Sequence, residues 1–279
     1  MLRSNLALWL KEDMGSGDHS SQAAISKSAK GHAQLLVKSE GIIAGIEVAR
    51  ELVQMTDPSA DFQTFLKDGD KVKPGDIAFV VFGNALNALS IERLMLNILQ
   101  RMSGIATKTH RLQQKIAHTS ARLLDTRKTT PGFRMLEKQA VLIGGGFNHR
   151  FGLFDMVMLK DNHIDFCGGI TKVVDQTVEY LKINNLSLKI EVEVRNEAEL
   201  SEAIQLTSID RIMLDNFTPE QIAQCIASIP ERFEVEASGG INEANIVAYA
   251  ETGVDFISVG ALTHNVESLD LSFKAVVHS

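Results

Sequence analysis

Short strand-like patterns alternate with turns in the first part of the chain, and long helical patterns follow them. One helix is predicted over 47–55, and a longer one is predicted over 85–100, whose leucines form a broad apolar face. Gly104 is expected to interrupt this helix before a second helical stretch at 107–117. Strand patterns with turn residues between them occur at 33–38, 62–66 and 77–82. Together these elements predict an N-terminal α/β sandwich domain with connecting helices over residues 1–118.

From residue 119 onward the apolar runs recur, and each ends in a polar residue or a glycine. The six end positions are Asp125, Lys160, Glu193, Asp215, Ser238 and Gly260. Repetition of strand then helix predicts a parallel sheet, and a β/α barrel builds its active site at the carboxyl ends of its strands. Fewer than 160 residues remain after Arg122, whereas eight-unit barrels need roughly 200 or more. The pattern therefore predicts an open or incomplete β/α barrel of six or seven strands over 119–279, with a C-terminal tail that can pack back on the N-terminal domain.

Charged residues alternate with apolar residues in two of these strands. Lys189, Glu191 and Glu193 share one face of their strand, because successive side chains point to opposite faces. Glu234 and Glu236 repeat the pattern. In a barrel the apolar face packs on the helices, so the carboxylates are predicted to point into the lumen, where they need partners or a metal. The alternative is a solvated face on an edge strand.

Composition places the chain among ordinary globular proteins, with 44% hydrophobic and 23% charged residues. No apolar segment approaches the roughly 20 residues of a membrane span, and Cys167 and Cys225 have neither zinc nor disulfide-framework spacing. A cytoplasmic protein with no membrane partner is therefore expected. The net charge of −7 argues against a nucleic-acid partner.

One segment departs from this acidic balance. Residues 122–150 hold six cationic and two anionic side chains, which indicates a small polyanionic ligand. An exposed basic helix face is the alternative. Within the segment, Arg127, Lys128 and Thr129 lie on a loop between a strand and a helical pattern, a position that suits a phosphate or pyrophosphate. Loops of this kind also form structural salt bridges.

A glycine-rich loop follows at 144–146, where the backbone can approach a ligand or turn sharply. His149 and Arg150 come soon after it, and Lys160 lies where a later strand ends. A flexible loop with incidental charges is the alternative. His149 and His163 lack the helical spacing of zinc ligands, so a metal at these histidines is not predicted.

Carboxylates and glycines at the remaining strand ends complete the candidate site. Glu193 and Asp215 suit Mg²⁺ that is carried in on a diphosphate. Backbone N–H groups after the last two strands suit a phosphate, in a pocket formed by Ser238, Gly239, Gly240 and Gly260. Cations, a carboxylate pair and a phosphate pocket favour a reaction of several anionic groups with a metal and little covalent work for the protein.

Long motifs in a fixed order cover most of the chain. In the second half they are DTRKTTPGFRMLEK, GGGFNHRFGLFDMVMLKDNH, EVEV, IMLDNF, VEASGGI and FISVGAL, and upstream they are EDMGSGDHSS and ERLMLNILQRMSGIAT. These motifs resemble quinolinate phosphoribosyltransferase, also called nicotinate-nucleotide pyrophosphorylase (carboxylating), from about Glu12 to Leu262. One departure is His19-Ser20-Ser21, where the family usually has an apolar residue and threonine.

The resemblance implies a fold and a reaction. The fold is an N-terminal α/β sandwich with an open β/α barrel, paired as a homodimer or a higher oligomer whose sites are shared across the interface. The reaction joins quinolinate to the phosphoribosyl group of phosphoribosyl pyrophosphate, with Mg²⁺, and yields nicotinate mononucleotide, pyrophosphate and CO₂ in NAD biosynthesis.

Site residues follow from the same resemblance, position by position. Arg101, in LQRMSG, would reach the site of the neighbouring subunit. Glu193 and Asp215 would bind the ribose hydroxyls and Mg²⁺, and together with Lys160 they would be catalytic. The carboxylates of quinolinate and the diphosphate would be held by Arg127, His149, Arg150 and Lys160, and beside them would lie Lys128 and Thr129. The 5′-phosphate would be cradled by Ser238, Gly239, Gly240 and Gly260.

Three other functions are compatible with the same residues. A relative of the family found with molybdenum-uptake genes shares the fold and could take a different phosphoribosyl acceptor. Lys160 at a strand end could form the Schiff base of an aldolase, which borohydride trapping with a carbonyl substrate would detect. A non-enzymatic phosphate-binding protein is the third alternative, and turnover of any phosphoribosyl donor would exclude it.

Overall fold

The computed structural model describes residues 2–276, so Met1 and 277–279, at the outer ends of the predicted domains, lie outside the described part. The helices are α1 (Leu2–Met14), α2 (His19–Ala24), α3 (Ile46–Thr56), α4 (Ala85–Lys115), α5 (Arg134–Ile143), α6 (Asp161–Cys167), α7 (Ile170–Ile183), α8 (Glu197–Ala203), α9 (Pro219–Cys225), α10 (Ile246–Ala250) and α11 (Ala261–His264). The strands are β1 (Lys30–Val37), β2 (Gly41–Ile42), β3 (Asp61–Thr64), β4 (Lys71–Val72), β5 (Ile77–Asn84), β6 (Arg122–Leu124), β7 (Val157–Leu159), β8 (Ile190–Val194), β9 (Arg211–Asp215), β10 (Glu234–Ser238), β11 (Phe256–Ser258) and β12 (Leu271–Val276). None of the described helices combines the length and the apolar character needed to cross a membrane.

The chain divides into two compact units, and the division differs from the predicted boundary between 118 and 119. The N-terminal unit contains the chain up to His110, Thr130–Gly145 and the segment from Asn265 onward; the barrel unit contains Arg111–Thr129 and Gly146–His264. Two segments that follow the predicted boundary thus belong to the N-terminal unit. Thr130–Gly145 contains α5, and the segment from Asn265 contains β12, which pairs with β1. Unit membership therefore does not follow chain order.

The main sheet of the N-terminal unit is antiparallel, with strand order β12-β1-β5-β3. Leu35 of β1 lies opposite Phe79 of β5 on one side and opposite Phe273 of β12 on the other. All three side chains are buried, because alternation places one face of each strand in the core. The elements predicted at 33–38, 47–55, 62–66 and 77–82 are confirmed as β1, α3, β3 and β5.

Gly104 does not interrupt a helix, and that prediction is wrong. The helix α4 continues through it from Ala85 to Lys115. A Cβ at Gly104 would overlap the carbonyl oxygen of Glu267 and would lie 2.9 Å from Cγ1 of Val266. Glycine at this position therefore allows Val266 and Glu267 to pack closely against α4. The helix continues on both sides of Gly104.

The sheet of the barrel unit has six strands, all parallel, in the order β6-β11-β10-β9-β8-β7. Closure into a barrel would require β6 to pair with β7, and the described residues contain no such pairing. Phe147 instead forms a single bridge with Leu124 of β6. The expected open β/α barrel of six or seven strands is confirmed with six. Because the strands are parallel, their carboxyl ends meet at one edge of the sheet.

Both faces of strand β8, the neighbour of the edge strand β7, are buried. Ile190, Val192 and Val194 supply the apolar face, and Glu191 and Glu193 on the other face are also shielded from solvent. A solvated edge face is therefore excluded for this strand, which lies between β7 and β9. The lumen of the open barrel is ionic, as the alternation predicts.

We expect Gly104→Ala to lower stability, the reverse of the usual effect. Replacing a glycine inside a helix by alanine normally stabilises by about 1 kcal/mol, but here the methyl group meets main-chain atoms of Glu267, and such overpacking costs about 1–3 kcal/mol. Thermal unfolding should show a Tm lower by about 2–10 °C. The control is Gly31→Ala, where a Cβ would meet no atom within 4 Å. A Tm for Gly104→Ala at or above that of the parent would contradict the packing argument.

Candidate active site

A cavity of about 270 Å³ lies in the barrel unit, among the residues that follow the strand ends. Four of its lining side chains are cationic, namely Arg127, Lys128, Arg150 and Lys160. The other lining residues are Thr126, His149, Met158, Met213, Glu236, Ser238 and Ser258. A concentration of positive charge in a partly enclosed space attracts anions. The basic segment predicted from the sequence thus contributes to an anion-binding cavity.

The cations are close enough to influence one another. Burial lowers the pKa of the Arg150 guanidinium, and the positive charge of Arg127 lowers it further, while Glu191 and Asp155 act in the opposite direction. Nη1 of Arg150 donates a hydrogen bond to the carbonyl oxygen of Met156 at 3.2 Å. An anion placed between the two guanidinium groups would remove their repulsion.

The loop after β6 is held in place by hydrogen bonds to its main chain and side chains. The buried Asp125 accepts a hydrogen bond at Oδ1 from the N–H of His149, at 2.9 Å. The N–H of Lys128 donates to Oγ1 of Thr126 at 3.0 Å, and the carbonyl oxygen of Lys128 accepts from Oγ1 of Thr263 at 2.7 Å. The main chain at Lys128 is therefore fixed from two sides.

Thr129 lies next to the cavity and is not among its lining residues. Its N–H donates to the carbonyl oxygen of Arg127 at 2.9 Å, which makes a tight turn. Its predicted place beside the substrate-binding cations stays a prediction.

Lys160, Glu193 and Asp215 form a charged group at the ends of β7, β8 and β9. Nζ of Lys160 lies 2.6 Å from Oε2 of Glu193. Burial raises the pKa of Asp215, and the charge of Lys160 opposes this rise. Nδ2 of Asn216 donates to Oδ2 of Asp215 at 2.6 Å. The structure thus brings the three predicted catalytic residues to neighbouring strand ends.

Glu193 and Asp215 fit an Mg²⁺ ion that arrives with a ligand better than they fit a resident one. Mg²⁺ takes six oxygen ligands, and in phosphate sites it is commonly held by one or two carboxylates with the rest supplied by phosphate and water. Two carboxylates at adjacent strand ends match that pattern. Binding of Mg²⁺ by this pair stays a prediction.

The glycines predicted to bind a phosphate leave the backbone exposed after β10 and β11. Gly239 has φ +95°, and a Cβ there would overlap the side chain of Asn216. Gly240 has φ +62°, and a Cβ there would meet no atom within 4 Å. At Gly260 a Cβ would lie 3.0 Å from Cδ of Lys128. Only glycine satisfies the first of these positions, because it needs both a left-handed backbone and the space next to Asn216.

A group of buried charged side chains occupies the barrel lumen next to the cavity; we call it the lumen cluster. It consists of His149, Glu191, Arg211 and Glu236, each at most 8% exposed. Nε2 of His149 lies 3.0 Å from Oε2 of Glu191 and 3.5 Å from Oε2 of Glu236. Nη1 of Arg211 donates to the same oxygen of Glu236 at 3.0 Å. The imidazole of His149 and the guanidinium of Arg211 thus face two carboxylates out of reach of solvent.

Two contacts act in opposite directions on the charge of His149. Burial alone lowers its pKa, but the hydrogen bonds and charges of Glu191 and Glu236 outweigh burial and raise the pKa to about 9. The main-chain N–H of Arg150 lies 2.6 Å from Nδ1, which favours an unprotonated Nδ1. Both contacts are compatible with a proton on Nε2, the nitrogen that faces the carboxylates. We therefore assign a proton to Nε2.

Three members of the lumen cluster could also hold a metal ion. Among residues 2–276, His149, Glu191 and Glu236 are the group of three or more ligand side chains whose ligand atoms all lie within 4.8 Å of one another. Arg211 already supplies a positive charge to Glu236, and burial and the charge of Glu236 raise the pKa of Glu191 to about 7. A second cation would face the guanidinium of Arg211, so we interpret the cluster as a salt-bridge network.

Arg101 lies in the N-terminal unit and does not line the cavity of the barrel unit. Its Nε and Nη2 donate to Oε1 of Glu137 at 3.1 and 2.8 Å. The fully buried Glu137 also accepts from the N–H and Oγ1 of Thr130, at 3.0 and 2.8 Å. Arg101 borders a separate cavity of about 730 Å³ whose walls include Trp9 and Phe133. Its guanidinium is thus held firmly at the edge of a large cavity.

Glu137 and Arg211 were not among the predicted site residues. Arg211 could have been found by the alternation that drew attention to Glu191, since it shares a face of β9 with Met213 and Asp215. Glu137 gives a weaker signal, an acidic residue within a basic segment. Its contact with Arg101 joins distant parts of the chain, and no local pattern predicts such a contact.

Comparison with known families decides the assignment. The family model described as quinolinate phosphoribosyl transferase, N-terminal domain, matches residues 18–103, and the model for the C-terminal domain matches residues 105–274. The chain belongs to the quinolinate phosphoribosyltransferase family. The family predicted from the motifs is therefore confirmed.

Curated members of the family are similar along almost the whole chain. The mitochondrial quinolinate phosphoribosyltransferase [decarboxylating] 2a of Nicotiana tabacum is 43% identical, with 98% of this chain and 82% of the relative covered. The probable nicotinate-nucleotide pyrophosphorylase [carboxylating] of Bacillus subtilis is 41% identical, with 99% of this chain and 94% of the relative covered.

Solved structures of the family have the same fold. NadC from Streptococcus pyogenes is 37% identical with a TM-score of 0.92, over 99% of this chain and 97% of that one. The nicotinate-nucleotide pyrophosphorylase from Francisella tularensis is 39% identical with a TM-score of 0.91, over 99% of this chain and 96% of that one. The open barrel and the antiparallel sheet are therefore features of the family fold.

Proposed function

We propose that this chain transfers the phosphoribosyl group of phosphoribosyl pyrophosphate to quinolinate with loss of CO₂, and so forms nicotinate mononucleotide and pyrophosphate for NAD biosynthesis. The observation that supports this most directly is the cavity lined by four cations, since both substrates are polyanions. The names of the similar proteins from tobacco and Bacillus subtilis describe this reaction.

The cationic wall of the cavity is suited to quinolinate. Arg groups recognise planar carboxylates through paired hydrogen bonds, and Lys supplies a point charge. The two carboxylates and the diphosphate are held by Arg127, His149, Arg150 and Lys160, and next to these lie Lys128 and Thr129. The ligand would thereby relieve the repulsion that lowers the pKa of Arg150.

Glu193 and Asp215 act on the donor. As pyrophosphate leaves, C1 of the ribose becomes oxocarbenium-like, and fixed carboxylates in a poorly hydrated site stabilise the positive charge that develops there. The same carboxylates would bind the ribose hydroxyls and would hold the Mg²⁺ that accompanies the diphosphate, and that ion would supply positive charge to the leaving group. The 5′-phosphate at the other end of the ribose is held by Ser238, Gly239, Gly240 and Gly260.

Decarboxylation then needs little from the protein. The pyridine nitrogen attacks C1 of the ribose as the bond to pyrophosphate breaks, and the nitrogen becomes cationic. The bond from the adjacent ring carbon to its carboxylate breaks, CO₂ leaves, and the electron pair stays on that carbon next to the positive nitrogen. A proton from solvent completes the product. The side chains have to position the reactants and exclude competing water.

Lys160 is not favoured as an aldolase nucleophile. A Schiff base needs a neutral amine, whereas Nζ of Lys160 lies 2.6 Å from a carboxylate oxygen of Glu193.

A homodimer, or a higher oligomer, with Arg101 reaching the partner's site is part of the proposal. Its support is the position of Arg101, which is held by Glu137 at the edge of the 730 Å³ cavity and is not one of the residues that line the barrel cavity. A cytoplasmic location stays a prediction, since relatives from plants are named mitochondrial or chloroplastic.

Quinolinate should be used and nicotinate should not. Nicotinate lacks one carboxylate and would leave cations of the cavity unpaired. Sites built to bind a polar group reject analogues that lack it by roughly 10⁴-fold. Formation of nicotinate mononucleotide should be measured with phosphoribosyl pyrophosphate, Mg²⁺ and either acid. A comparable kcat/KM for quinolinate and nicotinate would contradict the proposed function.

Glu193→Gln and Asp215→Asn should reduce kcat much more than they weaken quinolinate binding. Loss of one preorganised electrostatic group costs about 10²–10³-fold in rate, and neither carboxylate is proposed to contact the pyridine. Calorimetry with quinolinate alone gives the affinity, and Glu197→Gln on the exposed start of α8 serves as the control. If quinolinate affinity fell by the same factor as kcat, the prediction would be wrong, and Glu193 and Asp215 would belong to the acceptor site.

Sharing of sites through Arg101 can be tested by mixing inactive variants. Arg101→Ala and Lys160→Ala homodimers should each be nearly inactive, while a mixed dimer would contain one intact site and one site lacking both groups. The mixed dimer should recover about half of the wild-type activity per dimer.

The competing interpretation is a surface arginine at the C-terminal end of a helix. The structure speaks against it, because α4 continues to Lys115. Thermal unfolding must first show that Arg101→Ala folds, since the change leaves the buried Glu137 without one partner. No recovery, with heterodimers shown to form, would place Arg101 outside the partner's site.

A further inference from the structure

Of the lumen cluster, His149 alone has a role in the proposed reaction, and Glu191, Arg211 and Glu236 have none. Glu191 and Glu236 are fully buried, and removing a carboxylate from water costs several kcal/mol unless partners compensate. Within residues 2–276, Oε1 of Glu191 and Oε1 of Glu236 have no hydrogen-bond partner, and Oε2 of Glu191 has only the close approach of Nε2 of His149. Apolar residues would fill the lumen at lower cost. Carboxylates at these two positions therefore need a functional explanation.

His149 links the two carboxylates to the cavity. Its Nε2 faces Oε2 of Glu191 at 3.0 Å and Oε2 of Glu236 at 3.5 Å, and the residue lines the cavity. On the other side of the ring, Nδ1 receives the main-chain N–H of Arg150 at 2.6 Å. The orientation of the ring, and with it the main chain that carries Arg150, is thus defined from the lumen side.

We propose that Glu191 and Glu236 are positioning residues for the quinolinate site, which hold the Nε2 edge of His149 and thereby fix His149 and Arg150 against the cavity. This inference rests on the proposed function, because quinolinate is the ligand concerned. Arg211 balances the charge of Glu236 through the same oxygen that faces His149. Glu191 does not line the cavity, and Glu236, which does, would repel a dicarboxylate rather than bind it. Both carboxylates are therefore proposed to act through His149.

Removal of either carboxylate should weaken the binding of quinolinate more than the binding of the phosphoribosyl donor. Partners that orient a metal-ligating imidazole change metal affinity by about 10–100-fold when they are removed, and we expect a change of the same order for an imidazole that binds quinolinate. Glu191→Gln and Glu236→Gln should therefore raise the Kd for quinolinate, measured by calorimetry on the full chain without the donor, by at least about tenfold. The KM for phosphoribosyl pyrophosphate should change less than the Kd for quinolinate, because Glu193, Asp215 and the phosphate pocket are also proposed to hold the donor and do not depend on His149.

Glu234 provides a matched control on the same strand as Glu236. It also binds Arg211, through Nε at 3.1 Å and Nη2 at 2.9 Å, but its side chain is 35% exposed and it is not among the charged partners of His149. Glu234→Gln disturbs Arg211 and should leave quinolinate affinity unchanged. An equal loss in this variant would assign the effect to Arg211 and overturn the proposal.

A double-mutant cycle separates positioning from a general structural effect. If Glu191 acts through His149, the double variant His149→Ala with Glu191→Gln should bind quinolinate no more weakly than His149→Ala alone. Losses that multiply in the double variant would show that Glu191 acts by another route, and the proposal would fall.

Folding of the variants is checked by thermal unfolding. Should Glu236→Gln fail to fold, Glu236→Gln combined with Arg211→Met removes the buried pair without leaving an unbalanced charge. That pair variant is expected to lose quinolinate affinity, and wild-type affinity in it would overturn the proposal. A wild-type protein that does not bind quinolinate at all would instead refute the proposed function, so the two failures are distinguishable.

Discussion

Repulsion among like charges is the constraint on which the rest of this structure depends. Four cationic side chains line a cavity of about 270 Å³, and the positive charge of Arg127 lowers the pKa of Arg150 in addition to burial. The fold has to offset that repulsion before any ligand arrives. It does so with carboxylates on the same strands: Glu193 neutralises Lys160, while the lumen cluster supplies negative charge next to His149 and Arg150.

The parallel, open sheet makes this arrangement possible. Successive residues of a strand point to opposite faces, so β8 can bury Val192 on the helix side while Glu191 and Glu193 remain on the lumen side. Strand β10 does the same with Glu236 and Ser238, which both border the cavity. On each strand the buried lumen carboxylate lies two residues before the group at the strand end: Glu191 before Glu193, and Glu236 before Ser238. The same alternation therefore places both kinds of group on the lumen face.

Local patterns in the sequence predicted the strand ends well, because each is defined by an apolar run that stops at a polar residue. They failed at Gly104, where the reason for a glycine is the carbonyl oxygen of Glu267, far along the chain. Local patterns also did not predict the partner of Glu191, because its contact is with His149, which lies more than 40 residues away in the sequence. Residue type and periodicity carry information about neighbours along an element, whereas contacts between distant segments are decided by the packing of the whole unit.

The charge of the cavity also bears on product release under the proposed function. Quinolinate brings two carboxylates on a neutral ring, whereas the pyridinium ring of the product keeps one carboxylate and carries a positive nitrogen. Arg127, Arg150 and Lys160 therefore face a ring that is net anionic before the reaction and net neutral after it. Electrostatic attraction to the ring weakens as the reaction proceeds, and the repulsion among the cations returns. The same cations that are proposed to select the acceptor acid therefore attract the product ring less strongly, which favours departure of the product.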